Sequence, residues 1–238
     1  MSASAIWVYL AASPLLGLTL TLLAYLGASA VHQRCGGHPL ANPVLLAVAT
    51  LVGLLWLTDT PYRTYFDGAQ FVHFLLGPAT VALAIPLHAQ LPRLRRMALP
   101  LLLALLIGSL TAALSAVAIG ALLGASRATL LSLAPKSVTT PIAMGIAERI
   151  GGLPSLTAVL VILTGVLGAI LARYIYRALH IDDDAQRGFA LGIAAHGIGT
   201  ARAFQESEQM GAFAALAMGL NGLLTALLLP IVMPFVLG

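Results

Sequence analysis

Charge is what this sequence has least of. Asp, Glu, Lys and Arg make up only 8% of its 238 residues, against about 25% in a soluble domain, so an ordinary water-soluble enzyme is excluded. Lysine occurs once, at Lys136. Cysteine also occurs once, at Cys35, which excludes an intramolecular disulfide and a cysteine-built metal centre. Aromatic residues are sparse at 6%. The net charge of +4 rests on 12 basic and 8 acidic residues. Such a small excess reads as a loop bias that orients a membrane protein, not as a nucleic-acid footprint. No charged side chain precedes Arg34, so the first apolar run lacks the basic start of a cleaved signal and reads as a membrane span.

Apolar sequence is what remains. Hydrophobic residues account for 60% of the chain and the mean hydropathy is +0.98. Uncharged stretches of about 20 residues are long enough to cross a bilayer. Six qualify, at roughly 5–30, 40–58, 69–90, 97–125, 153–172 and 212–236. Counting Lys and Arg puts the loops 32–38, 92–96 and 173–187 on the cytoplasmic side. The fold class expected is therefore an all-α polytopic membrane protein, multi-pass, with about six transmembrane helices. Asp182, Asp183 and Asp184 read as a solvated loop face rather than a cation site.

Two moderately apolar segments, 126–151 and 184–211, are left over, and each carries a break. The first holds Ala134-Pro135-Lys136-Ser137-Val138-Thr139-Thr140-Pro141. Each proline removes a backbone donor and resists helix continuation. Broken backbone at membrane depth is tolerated where it is buried in protein or lines a cavity, and an ionisable residue there points to function. The second holds His196-Gly197-Ile198-Gly199-Thr200-Ala201-Arg202. The two align without a gap at an offset of 60, pairing Arg127 with Arg187, Thr140 with Thr200, Glu148 with Glu208 and Gly151 with Gly211. Lys136 then falls opposite His196. If each segment is a re-entrant hairpin, the copies have opposite orientation and meet near the midplane, the inverted-repeat plan of secondary transporters. Full crossings would instead be parallel and would move Arg173 and Arg177 outside. The expected division is residues 1–125 as scaffold-like helices and 126–238 as the repeat region holding the site.

The candidate substrate-binding residues are Lys136, Ser137, Thr139, Thr140, His196, Gly197, Gly199, Thr200, Arg202 and Asn221. An ammonium, a guanidinium, hydroxyls and two helix N-termini suit a small carboxylate. Arg202 has an alternative as structural glue with Glu206 or Glu148. His196, Glu148 and Glu208 are the coupling candidates, since imidazole titrates nearest neutral pH. His196 as a packed, satisfied residue and the glutamates as helix-end residues are equally open readings. Asn221, inside the last span, faces either the cavity or a neighbouring helix. Ser137 beside Lys136 raises an intramembrane hydrolase, but adjacent residues point apart and no oxyanion hole is evident. No enzyme, cofactor or metal site is expected.

Pro135 to Met144, Ile150-Gly151-Gly152-Leu153-Pro154, Arg187-Gly188-Phe189-Ala190-Leu191-Gly192 and Ala195 to Arg202 together resemble the signature of the LrgB/CidB-like membrane proteins. Asn42-Pro43, the loop with Tyr62, Tyr65 and Gly68, and Gly77 to Ala84 fit as well. The resemblance implies a bacterial inner-membrane protein with a smaller LrgA/CidA-type membrane partner. It implies one of two roles. One is holin- or antiholin-like modulation of murein hydrolases and autolysis. The other is secondary transport of monocarboxylates such as pyruvate, glycolate or glycerate. The residues favour the transporter, because a holin has no need of a lone buried lysine opposite a histidine. A homodimer or higher oligomer is left open.

Overall fold

The computed structural model describes residues 14–36, 41–75, 78, 81–82 and 84–237, and among them there is no strand. Two compact units divide the chain, Met1–Ala82 and Leu83–Gly238. The first unit contains α1 (Pro14–Arg34), α2 (Pro43–Leu57) and α3 (Tyr62–Phe74). Asn42 caps α2, its side-chain oxygen accepting from the N–H groups of Val44 at 2.9 Å and Leu45 at 3.2 Å, while Pro43 occupies the first turn. That is how Asn-Pro starts a helix. A 2.7 Å hydrogen bond between the hydroxyls of Thr21 and Tyr65 ties α1 to α3.

The second unit contains α4 (Ala84–Ala89), α5 (Leu91–Arg96), α6 (Ala98–Leu122), α7 (Arg127–Leu133), α8 (Thr140–Ile150), α9 (Pro154–Ala178), α10 (Asp184–Glu206) and α11 (Glu208–Leu237). Four described helices are long and apolar enough to cross a membrane: Leu15–Arg34, Ala98–Leu122, Pro154–Ala178 and Glu208–Leu237. Among the described residues, four of the six expected spans are thus helices of that length and a fifth is the shorter apolar α2. The expected third span, 69–90, is helical at Tyr62–Phe74 and Ala84–Ala89. Gly77, Ala79 and Thr80 of its Gly-Pro stretch, like the first 13 residues of the chain, lie outside the described residues. Length accounts for the difference at α2, whose 15 residues rise only about 22 Å against a hydrocarbon core of about 30 Å.

Segment 126–151 folds back on itself. Ser126 caps α7, the break follows, and α8 starts at Thr140 with Pro141 in its first turn and ends at Gly151 in the left-handed conformation. The two ends meet: Arg127 and Leu131 share a pocket with Arg149 and Ile150, and the Ser132 hydroxyl accepts from the Leu153 N–H at 2.8 Å.

The second segment folds back too, although its backbone is continuous enough to read as one helix. Ala195 (φ −125°, ψ 15°) and His196 (φ 41°, ψ −134°) are non-helical within α10. A Cβ on Gly199 would sit 2.9 Å from the carbonyl oxygen of Leu191. The Ser207 hydroxyl donates to Asp184 at 2.5 Å, where a straight helix would hold those residues about 34 Å apart. The two arms of α10 therefore run antiparallel, with His196 at the turn.

The arms of α10 pack on α11 through glycines. A Cβ on Gly188 would lie 2.1 Å from the Met210 carbonyl, and one on Gly192 would lie 2.2 Å from that of Ala214. The small-xxx-small spacing is used here within one chain, where van der Waals approach replaces the hydrophobic effect.

Candidate functional site

Helix α9 relates the two hairpins. The open end of the first lies beside the start of α9, where the Thr157 hydroxyl donates to the Ser132 carbonyl at 3.3 Å. The open end of the second lies beside its finish, where the Tyr176 hydroxyl donates to the Arg187 carbonyl at 2.8 Å. Both turns reach the central stretch of α9 between. Val138 of the first break packs in one apolar cluster with Val161. The His196 Nε2 lies 2.9 Å from the Val161 carbonyl oxygen. A carbonyl only accepts, so Nε2 carries the hydrogen.

One side chain joins both breaks. Asn221, 1% exposed in the middle of α11, donates through its amide nitrogen to the Ser137 carbonyl at 3.3 Å and to the Ile193 carbonyl at 3.1 Å. Its oxygen accepts from Thr225 at 3.4 Å, and Thr225 reaches Ser109 on α6 at 3.2 Å. A helix break leaves carbonyls without helical partners, and in an apolar setting each must be satisfied. Asn221 does this for both segments at once.

Lys136 is half-buried at the first turn and donates to the Ser137 hydroxyl at 3.3 Å. Among the described residues it makes no ion pair. Thr139 is the N-cap of α8 and leaves its hydroxyl out of the cap; Thr140 follows, half-buried. Thr200 is buried, its hydroxyl donating to the His196 carbonyl at 2.9 Å. Gly197 is half-buried and Gly199 buried.

Three expected site residues stand apart from this centre. Arg202 pairs with Glu206 and donates to Gln205 at 3.1 Å, so its charge is committed to its own arm of α10. Glu148, in the last turn of α8, and Glu208, in the first turn of α11, are both exposed. His196 is buried, 4% exposed, with its ring on the Val161 backbone carbonyl. Ser109, Thr225 and the Val161 carbonyl are participants that the sequence did not single out. Thr225, the one hydroxyl residue of α11, was an available signal; Ser109 shares α6 with Thr111 and Ser115 and nothing local marks it out.

The open end of the second hairpin is locked by charge. Arg93 pairs with Asp183 at 2.5 Å and lies over the Phe213 ring. Arg187 pairs with Asp184 at 3.4 Å and lies over Tyr176. Burial pushes the Asp183 carboxyl up, but the Gln186 N–H and Arg93 outweigh it and hold the group below its ordinary value of 3.8. No group of three or more metal-ligating side chains occurs among the described residues.

Comparison with known proteins gives a consistent answer. The chain is 41% identical over 221 residues to the uncharacterized protein YwbG of Bacillus subtilis, covering 93% of this chain and 98% of that one. It is 29% identical over 224 residues to the antiholin-like protein LrgB of Bacillus cereus, covering 94% of this chain and 97% of the relative. The antiholin-like protein LrgB of Bacillus anthracis matches to the same extent. No solved structure matches. The LrgB-like family model aligns with residues 21–235, nearly the whole chain, and this multi-pass helical membrane protein belongs to that family.

Proposed function

We propose that this protein is a secondary transporter of small organic anions. Its substrates would be monocarboxylates of the size of pyruvate, glycolate or glycerate, held at the two helix breaks. The observation that carries this reading is Lys136, an ammonium at a broken helix with no carboxylate paired to it among the described residues. A charge in that position is expensive unless it is paired or serves an ion pathway. A small carboxylate is the partner that would complete it. Ser137, Thr139 and Thr140 lie beside it, and the N-terminus of α8 adds a favourable dipole end. Thr200, Gly197 and Gly199 border the second break. Asn221 holds both breaks without contacting substrate, and Arg202 joins only by releasing Glu206.

In this reading the two hairpins form an inverted repeat about α9, and alternating access is a rocking of the hairpins around fixed tips. Residues 1–125 serve as scaffold and 126–238 as the moving part. His196, Glu148 and Glu208 are the coupling candidates, the two glutamates exposed at the hairpin ends. The membrane would be the bacterial inner membrane, with an LrgA/CidA-type protein as partner.

A second reading is favoured by the antiholin-like name of the LrgB relatives: a membrane protein that modulates murein hydrolases. The two separate in one assay. Purified protein in liposomes is given radiolabelled pyruvate or glycolate while an entrapped dye reports leakage. Saturable uptake with the dye retained supports the carrier. Dye loss that rises with protein amount, with no saturable uptake, overturns it in favour of the holin-like reading.

A further inference from the structure

A groove of about 400 Å³ runs between α6 and the first arm of α10. Met97, Ala104 and Gly108 line one wall, and Phe189 and Ile193 the other, with Gln186 at one end. The α6 wall extends from Met97 to Ala112, about 22 Å of helix at 1.5 Å per residue. One leaflet of hydrocarbon is about 15 Å deep, so the groove spans a leaflet from its surface inward.

The segment that leads into the groove at Met97 is basic. Arg95 and Arg96 directly precede Met97, are exposed, and enter no ion pair among the described residues. Arg93, one turn earlier, differs in being taken up by Asp183 and Phe213. The charge bias puts this end at the cytoplasmic leaflet, whose surface is negative.

We infer that the groove is a binding site for an anionic phospholipid. The headgroup phosphate pairs with Arg95 and Arg96, and one acyl chain lies along Met97, Ala104 and Gly108 against Phe189 and Ile193. The inner wall is the hairpin arm whose Ile193 carbonyl is held by Asn221, so an occupant here bears on the helix break itself. The inference is independent of what the protein transports.

Native mass spectrometry of the full-length detergent-solubilised protein, titrated with phosphatidylglycerol or phosphatidylcholine carrying the same acyl chains, tests it. Wild type should retain phosphatidylglycerol roughly thirtyfold more tightly, from about 1 kcal/mol for each of the two arginines at an anionic surface. The Arg95→Gln/Arg96→Gln protein should lose that preference, and Ala104→Phe should lower retention of both lipids. Equal retention by wild type, or an unchanged preference in the double variant, overturns the site. A benzophenone placed at position 104 should give a lipid adduct on irradiation. A protein–protein product instead would show that a helix covers the groove and would overturn the lipid assignment.

Discussion

Asn221 and Ser137 meet at 3.3 Å across 84 residues of chain. The same amide nitrogen reaches Ile193 at 3.1 Å, so one side chain is shared by two breaks that lie far apart in sequence. Asn221→Leu keeps the volume and removes the donors, leaving two carbonyls unsatisfied in an apolar interior. The expected loss is about 1–3 kcal/mol per carbonyl, seen as a lower thermal midpoint of the detergent-solubilised protein. An unchanged midpoint would mean that the breaks do not depend on this contact.

The hairpin form of α10 makes a prediction that a straight helix cannot share. In a Cys35→Ala background, Asp184→Cys and Ser207→Cys should form a disulfide within one chain under mild oxidation, since the native side chains already touch. Mass spectrometry of the proteolytic peptides reads the link. Two free thiols under conditions that oxidise a control pair would refute the fold-back.

The glycine seam between α10 and α11 is selective about position. Gly192→Ala places a methyl 2.2 Å from the Ala214 carbonyl, which forces the helices apart. Gly219→Ala meets nothing within 4 Å. The first should lower the yield of monodisperse protein on size-exclusion chromatography severalfold, and the second should leave it unchanged. Equal behaviour would mean that α10 and α11 do not pack through Gly192.

The Arg93–Asp183 pair carries a pH signature. The Asp183 carboxyl sits below its ordinary value in the folded protein, so its contribution to stability is present above the unfolded value of about 3.9 and is lost as pH falls through the lower folded one. Asp183→Asn should therefore destabilise at pH 7 by about 0.2–1 kcal/mol, as suits a partly exposed pair. The gap from wild type should close as pH falls below that folded value. A gap that persists there would assign the effect to packing.

Much of this architecture was written in local sequence. Asn42-Pro43 announced the start of α2, Pro135 and Pro141 announced the first break, and the 60-residue offset put Lys136 opposite His196. Both residues now stand at turns of their hairpins. What sequence did not show was which polar groups satisfy one another. Arg202 had Glu206, one helical turn on, and Glu148, in the other segment, as open partners, and the fold selects Glu206. Asn221 left the cavity and a neighbouring helix both open as its partner, because nothing local says that two distant carbonyls converge on it. The 23 residues of α10 carry no proline, so the second break was marked only by Gly197 and Gly199 beside His196, whose ring meets the Val161 carbonyl.

The most direct measurement is uptake of labelled pyruvate and glycolate into proteoliposomes holding wild type, Lys136→Met or Lys136→Arg, with insertion verified for each. Saturable wild-type uptake, abolished by Lys136→Met and partly kept with a raised KM by Lys136→Arg, is the predicted result. Full, saturable uptake by Lys136→Met would contradict the assignment of this lysine as the anion's partner.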